Sequence, residues 1–129
     1  MELKVRTNKK CEVIDITPQV SEVVRSADIG EGMCCVFVPH ATAAVVINEN
    51  DDMQIGEDLL DALERIVPEG VWRHDKVDSN GAAHLKSAML GPSETIPVLN
   101  GRLALGTWQS VIFVELDGPR DRKVIVTVK

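Results

Sequence analysis

The fold class of this chain is decided by one stretch, Met33-Cys34-Cys35-Val36-Phe37-Val38-Pro39-His40-Ala41-Thr42-Ala43-Ala44-Val45-Val46-Ile47. Its two apolar runs, Met33–Val38 and Ala43–Ile47, are short, nearly continuous and rich in β-formers, which predicts two buried strands. The segment Pro39–Thr42 separates the two runs. The stretch therefore predicts a loop with one histidine between two strands of the core.

Further strands are predicted on both sides of this stretch. Residues 3–7 alternate between apolar and polar types, and a polar turn at 8–10 leads into a second extended segment ending at Ile16, which predicts an N-terminal hairpin. The run 98–103 contains Asn100-Gly101, the dipeptide that tolerates the positive φ angles of a type I′ turn, so a second hairpin is expected there. The segments 108–116 and 123–128 supply the last two strands.

Three short helices are predicted between the strands. Thr17 before Pro18 is expected to cap a helix that continues to Gly30. Asp51-Asp52 is expected to cap a second helix, whose apolar stripe ends at Leu63. The third helix spans 82–90 and ends at Gly91. Residues 1–129 are therefore expected to form a single α+β domain, with antiparallel or mixed sheets.

Composition argues against nucleic acid as a partner. The chain has 14 Lys and Arg residues against 20 Asp and Glu residues, a formal net charge of -6, and only 3% aromatic residues. An acidic protein repels a phosphate backbone, and few aromatic side chains are present to stack on bases. The nearly two-faced apolar runs favour instead a homo-oligomer, because they need more cover than one small domain offers.

Cysteine usage and the absence of targeting segments favour the cytoplasm. The three cysteines, at positions 11, 34 and 35, lie in apolar or strand-like runs without CxxC spacing, so we expect reduced, packed thiols. The first residues lack the apolar core of a signal peptide, and no apolar run reaches membrane-spanning length. No membrane partner is therefore expected.

The three histidines, His40, His74 and His84, are the main candidates for chemistry, because each lies among small or polar residues. Three imidazoles, or two with a carboxylate, are typical ligands of catalytic zinc. The candidate carboxylates are Glu49, Asp75, Asp78, Glu115 and Asp117. Their spacing matches no compact motif, and a histidine taken alone is more commonly a hydrogen-bonded structural residue. The prediction of a site therefore depends on their convergence.

Four other positions have a structural interpretation, a functional one, or both. Asp117-Gly118-Pro119-Arg120 is a turn signal, yet Arg120 and Arg122 offer forked donors for a phosphate or carboxylate. Trp108-Gln109 is expected to anchor the core at a strand start. Ser79-Asn80 is expected to cap the third helix, and an anion suits the same helix terminus. Ser87 lies three residues after His84, so the two side chains can share a site.

These segments together resemble the YjbQ-like family, known as the secondary thiamine-phosphate synthase family. The resemblance covers nearly the whole chain and is carried by 39–44 with Asn48-Glu49, by 78–86, by 101–109 and by 117–120. Its most specific parts are Asn80-Gly81-Ala82-Ala83-His84 and Gly106-Thr107-Trp108-Gln109. At Gly81 the sequence departs from the family pattern, in which a polar side chain is common, and this loss is expected to weaken the support of His84.

The resemblance implies a β-sandwich core, a homotrimer, and a histidine-lined pocket that can carry a divalent metal such as Zn²⁺. It also implies a weak ability to join pyrimidine pyrophosphate and thiazole phosphate precursors into thiamine phosphate. The predicted site residues fall into three groups. They are the catalytic residues His40, His84, Glu49 and Asn80, the ligand-binding residues Thr42, Ser87, Trp108, Gln109 and Arg120, and the metal ligands His40, His74 and His84.

Two functional hypotheses follow. Under the first, the protein is a transferase or metal-dependent enzyme for a small phosphorylated metabolite, with the histidines as ligands or as acid and base. Under the second, it is a binding module for phosphorylated metabolites without turnover, because no complete catalytic motif is present and a fold alone implies no chemistry.

Overall fold

Eight strands and three α-helices form the chain in the computed structural model, which describes all residues 1–129. The strands are β1 (Glu2–Arg6), β2 (Glu12–Asp15), β3 (Gly32–Phe37), β4 (Ala43–Asn48), β5 (Ser93–Leu99), β6 (Arg102–Leu103), β7 (Ser110–Glu115) and β8 (Asp121–Val128). The helices are α1 (Thr17–Ala27), α2 (Met53–Ile66) and α3 (Gly81–Leu90), with a 3-10 helix at Arg73–Lys76.

The strands are arranged in two antiparallel sheets. The first sheet has five strands in the order β1-β8-β3-β5-β6, and the second has three in the order β2-β7-β4. All strand pairs are antiparallel. The predicted α+β fold is confirmed, and of the two sheet types expected, only the antiparallel one is present.

The core has two parts, one on each face of the second sheet. Strand β7 shows this most clearly, because Val111 and Phe113 belong to one apolar cluster while Ile112 and Val114 belong to the other. The larger cluster lies between the two sheets and includes side chains of α1, and the smaller one includes side chains of α2 and α3. The second sheet is therefore covered on both faces, as parallel sheets usually are and antiparallel ones often are not.

The first sheet is covered on one face only. In β3, Cys34 and Val36 are fully buried, whereas Met33 is 61% and Phe37 is 40% exposed. The sequence predicts that these apolar strands are buried on both faces. This prediction is wrong for β3, although β4 and β7 are buried on both faces. The alternation follows from the pleat, which directs successive side chains to opposite faces.

The predicted hairpin at 98–103 is confirmed, with Asn100 and Gly101 at φ values of 53° and 75° between β5 and β6. The predicted N-terminal hairpin is wrong. Strand β1 pairs with β8, and β2 pairs with β7 in the other sheet. The polar segment 8–10 therefore carries the chain from one sheet to the other. Local alternation predicts a strand but contains no information on its partner.

The helix starts agree with the prediction in one case and differ in another. Oδ1 of Asp52 accepts hydrogen bonds from the amides of Gln54 at 2.8 Å and Ile55 at 3.1 Å, which confirms the cap of α2. Thr17 is the first residue of α1 rather than its cap, because its hydroxyl accepts from the amide of Val111 at 2.8 Å. None of the helices is long and apolar enough to cross a membrane.

The three cysteines form no disulfide. Cys34 and Cys35 are neighbours on β3 and point to opposite faces, the first into the core and the second to the outer face. Burial raises the pKa of the Cys34 thiol to about 11. This thiol is therefore a packing side chain and not a nucleophile at neutral pH.

Candidate functional site

Two of the three histidines meet. His74 lies in the 3-10 helix and His84 in the first turn of α3, and their ring centroids are 4.7 Å apart with the planes at 72°. Both rings line a cleft of about 440 Å³, together with Trp72, Arg73, Gly81 and Leu85. We call this the His74/His84 cleft. It places two imidazoles, one guanidinium and an apolar wall around one volume.

Asp75 connects the two elements that carry these histidines. Its Oδ1 accepts a hydrogen bond from the amide of Gly81 at 2.8 Å, and its Oδ2 accepts one from the amide of Trp72 at 3.1 Å. These amides lower the pKa of the Asp75 carboxyl. One carboxylate thus fixes the 3-10 helix against the start of α3, and it sets the relative position of the two imidazoles.

The contact between Asp75 and the start of α3 requires a glycine at position 81, so the absence of a side chain there is not a defect. A Cβ atom at this position would lie 2.9 Å from Oδ1 of Asp75 and 2.9 Å from Cβ of Trp72. The expectation that the missing side chain weakens the support of His84 is therefore wrong, because the support comes from the Gly81 amide and needs the space.

Asn80 occupies the cap position of α3, as predicted, but its side chain makes no capping hydrogen bond. Its Nδ2 donates to Oδ2 of Asp117 at 3.0 Å, and its Oδ1 is buried without a partner. Arg120 donates to the same Asp117 oxygen at 3.1 Å and from Nε to the Asp117 carbonyl at 2.7 Å. Arg120 therefore holds Asp117, and Asp117 orients the amide of Asn80.

His40 lies apart from the other two histidines and closes the edge of β8. Strand β3 ends at Phe37, opposite Ile125, and β8 extends beyond this pair. Nε2 of His40 accepts a hydrogen bond from the free amide of Lys123 at 2.9 Å. Burial, followed by the positive charge of Arg122, lowers the pKa of His40 from its ordinary value of 6.5. The ring is therefore neutral, with its proton on Nδ1.

A buried ion pair anchors the loop that carries His40. Glu115 is fully buried and accepts from Nε of Arg122 at 2.9 Å and from the hydroxyl of Thr7 at 2.8 Å. Burial alone would raise the pKa of Glu115, but the bonds from Arg122 and Thr7 outweigh it and hold the pKa below its ordinary value. Arg122 also donates to the hydroxyl of Thr42 at 2.9 Å. Two strands and the loop at 39–42 are thus joined at one point.

Two hydroxyls predicted to bind ligand are engaged in the protein's own hydrogen bonds. Oγ1 of Thr42 accepts from Arg122, as described above. The hydroxyl of Ser87 donates to the carbonyl of Ala43 at 2.9 Å and is buried between α3 and β4. Both groups hold secondary structure elements together in this arrangement.

The structure separates another three predicted residues from the histidines. In the second sheet, Ala43 pairs with Glu115 at one end and Asn48 pairs with Ser110 at the other. Glu49 follows Asn48, and Trp108 and Gln109 precede Ser110, so all three lie at the second end. Strand β4 alone is about 20 Å long. Within one chain, Glu49 is therefore too far from His40 for shared chemistry.

Trp108 is not the core anchor expected from the sequence. Its side chain is 60% exposed, and β7 begins only at Ser110. Gln109 accepts from the amide of Gly106 through Oε1 at 2.8 Å, which closes the turn before the strand. The segment 106–109 is therefore a turn that presents an aromatic side chain to solvent.

Sequence reasoning missed several residues of this site. Arg73, Trp72 and Leu85 line the cleft, and their only signal was their position beside His74 and His84. Glu115 and Arg122 were not missed, since the sequence names them as a candidate carboxylate and a candidate anion donor, and each is a charged residue at a strand position whose neighbours on the same face are apolar. A charge in such a position is buried and needs a partner.

The predicted zinc site does not fit the donors within one chain. No group of three or more His, Cys, Asp and Glu side chains is arranged to hold a metal ion. His74 and His84 supply two imidazoles, while Nε2 of His40 is already used by the amide of Lys123. A structural or catalytic zinc site needs at least three protein donors.

The whole chain, residues 1–129, matches the family model described as UPF0047 protein YjbQ-like. A UPF0047 protein of Archaeoglobus fulgidus is 50% identical over 98% of each chain. The UPF0047 protein YugU of Bacillus subtilis is 41% identical over 93% of this chain and 91% of its own.

Solved structures agree with these relatives. A hypothetical protein from Aeropyrum pernix K1 is 40% identical, with a TM-score of 0.96 over 100% of this chain and 96% of its own. A YjbQ/UPF0047 family protein from Clostridium acetobutylicum is 42% identical, with a TM-score of 0.96 over 100% of this chain and 99% of its own. The fold and site thus define an α+β protein with two packed antiparallel sheets and a paired-histidine cleft. The chain belongs to the YjbQ-like UPF0047 family, which confirms the resemblance seen in its motifs.

Proposed function

We propose that the protein is a small-molecule transferase that acts on phosphorylated substrates in the His74/His84 cleft. The observation that carries this proposal is the contact of two imidazoles, with centroids 4.7 Å apart, in a cleft that also holds Arg73. None of the salt bridges of the chain involves Arg73, so its guanidinium is free to bind an anion. Guanidinium groups suit phosphate because their donors form a fork.

The two imidazoles supply an acid and a base. An imidazole can donate a proton in its charged form and accept one in its neutral form, so either ring can take either role. Trp72 and Leu85 add an apolar wall for the organic part of the substrate, as is common in small-molecule sites.

The resemblance gives this chemistry a specific form, the joining of pyrimidine pyrophosphate and thiazole phosphate into thiamine phosphate. Because the product keeps only the phosphate of the thiazole, pyrophosphate must leave. We propose that the thiazole nitrogen bonds to the pyrimidine methylene carbon as the bond from that carbon to the pyrophosphate oxygen breaks. Arg73 neutralises the departing pyrophosphate, and one of the two histidines donates a proton to it. The zinc predicted from the sequence would need a third ligand in addition to His74 and His84, and no step here requires it.

The experiment is an assay of thiamine phosphate and pyrophosphate formation from the two precursors, with and without EDTA. We expect His84→Ala and His74→Ala each to lower the rate by about 10²-fold or more. We expect Arg73→Gln to weaken substrate binding, whereas Arg102→Gln, in the exposed hairpin, serves as the matched control. Unchanged rates in both histidine variants would refute the proposal, and a loss of rate in EDTA would establish the metal requirement.

The rival function, binding without turnover, is favoured by one observation. Two of the titratable candidates already have structural partners. His40 accepts a hydrogen bond from the amide of Lys123, and Glu115 forms an ion pair with Arg122. A binding module predicts that calorimetry detects stoichiometric binding of the phosphorylated precursors to the wild type while no product forms. Under this alternative, His84→Ala changes affinity alone.

We further propose that the exposed face of β3 and β5, in the first sheet, is the contact surface of the homotrimer that the resemblance implies. Met33 is 61%, Phe37 is 40% and Leu99 is 51% exposed on the adjacent strands β3 and β5. An apolar patch of this kind marks an interface. We expect Phe37→Lys to lower the mass measured by light scattering, whereas Met53→Lys, 79% exposed on α2, leaves it unchanged.

A further inference from the structure

A second cavity lies on the outer face of the first sheet, along its edge. It measures about 570 Å³ and is formed by residues of two adjacent strands. Its lining residues are Lys4, Val5 and Arg6 of β1 with Asp121, Arg122 and Lys123 of β8. We call it the β1/β8 groove. None of these residues lines the His74/His84 cleft.

The register of the two strands gives the groove an excess of positive charge. Arg6 is opposite Asp121, and their side chains form a salt bridge at 3.3 Å. Lys4, in contrast, is directly opposite Lys123. Like charges at opposed positions of an antiparallel pair destabilise the sheet. The unfavourable pair of Lys4 and Lys123 therefore lies two residues along the strands from the favourable pair of Arg6 and Asp121.

The protein offers little compensation for this pair. Lys4 takes part in none of the salt bridges, and the carboxylate nearest to Lys123 is that of Glu2 at 3.6 Å. Arg122 contributes no free charge, because it is buried and paired with Glu115. The unpaired charge of the groove is therefore the ammonium group of Lys4, which lies opposite the ammonium group that Lys123 shares with Glu2, in a chain whose net charge is -6.

Protection of a sheet edge explains only half of this arrangement. Lysines on edge strands prevent pairing with other chains, and β1 is an edge strand, so Lys4 has a structural reason. Lys123 lies on β8, which is an interior strand between β1 and β3. Its charge opposite Lys4 is not needed for edge protection. An anion between the two ammonium groups would remove the repulsion that the sheet otherwise carries.

We infer that the β1/β8 groove is an anion site that binds the phosphate group of a small molecule between Lys4 and Lys123. Ammonium groups are compact charges with three donors each, which suits the oxygens of a phosphate. The salt bridge of Arg6 with Asp121 limits the groove at one end. This site is independent of the proposed transfer reaction.

The test is a titration of the ¹⁵N-labelled full chain with inorganic phosphate and, separately, with glycerol 3-phosphate, at constant ionic strength. We expect saturable shifts of the amide signals of Val5 and Arg122. Lys4→Gln and Lys123→Gln should each weaken this binding by about tenfold, since each removes one charge-assisted contact. Lys9→Gln, an exposed lysine in the neighbouring turn, is the matched control and should bind as the wild type does.

The outcomes separate this site from the cleft. Arg73→Gln should leave the shifts at Val5 and Arg122 unchanged, and Lys4→Gln should retain turnover in the transferase assay. Tighter binding of glycerol 3-phosphate than of phosphate identifies an organic phosphate as the ligand, whereas equal affinities identify the phosphate group alone. Wild-type affinity in both lysine variants, or equal shifts with chloride, would overturn the inference.

Discussion

Nε2 of His40 accepts a hydrogen bond from the backbone amide of Lys123 at 2.9 Å, where β8 continues beyond the end of its neighbour β3. The imidazole thus pairs an amide that no strand reaches. The ring therefore has a structural task, the pairing of the exposed end of β8, that the sequence does not reveal.

This contact predicts an acid-dependent loss of stability. The pKa of His40 is lowered in the folded chain, so below about pH 6.5 the unfolded chain binds a proton that the folded chain does not. The free energy of unfolding should therefore fall as the pH decreases from about 7 to 5. Urea unfolding at several pH values in this range should show that the free energy of unfolding of His40→Gln depends less on pH than that of the wild type. The amide oxygen of Gln accepts the hydrogen bond without titrating. An equal pH dependence of the free energy of unfolding in the two proteins would exclude His40 as the cause of the acid-dependent loss.

A second prediction concerns the pair of Glu115 and Arg122. Glu115→Gln leaves a buried guanidinium without its counter-charge, which should lower the free energy of unfolding by about 3–5 kcal/mol. Asp121→Asn, which removes the exposed partner of Arg6, should cost about 1 kcal/mol or less. Similar losses in the two variants, measured by urea unfolding, would contradict the structural role of the buried pair.

The same pair predicts behaviour in acid. Because the pKa of Glu115 is held below its ordinary value of 4.5, its contribution is complete above that pH and is lost as the pH falls through the folded value. We expect the wild type to lose stability below about pH 4.5 more steeply than Glu115→Gln does. Parallel unfolding curves of the two proteins in this range would refute the assignment.

A third prediction concerns the space at Gly81. The methyl group of Gly81→Ala would lie 2.9 Å from Asp75 Oδ1 and must displace it, which should cost about 1–3 kcal/mol and lower the transferase rate. Gly30→Ala is the control, because no heavy atom lies within 4 Å of its added Cβ. Thermal unfolding distinguishes the two. A neutral effect at Gly81 would show that Asp75 does not fix the histidine pair.

A fourth prediction concerns the start of α2. Asp52→Ala removes the oxygen that accepts from two amides and should lower the free energy of unfolding by about 1 kcal/mol. Asp51→Ala, one residue earlier, removes an exposed carboxylate that makes no capping bond and should change stability by less than about 0.5 kcal/mol. A reversed order of the two losses in urea unfolding would contradict the observed cap.

The candidate site was predicted in part. The polar segment 71–81 and the histidine of α3 were recognised as functional candidates, and His74 and His84 do meet. His40 was grouped with them because of its residue type, which contains no information on direction or partner. Gly81 was interpreted as a missing side chain, because only coordinates reveal the Asp75 oxygen that occupies the space.

Local patterns by themselves determined the strands, the Asn100-Gly101 turn and the cap at Asp52, because period, positive φ and capping depend on residues close in sequence. Only the tertiary structure decided that β1 pairs with β8, that Lys4 therefore faces Lys123, and that β4 separates Glu49 from His40. The physical reason is that an alternating pattern identifies which face of a strand is buried. The choice of the neighbouring strand, and hence of every contact across it, depends on packing of the whole core.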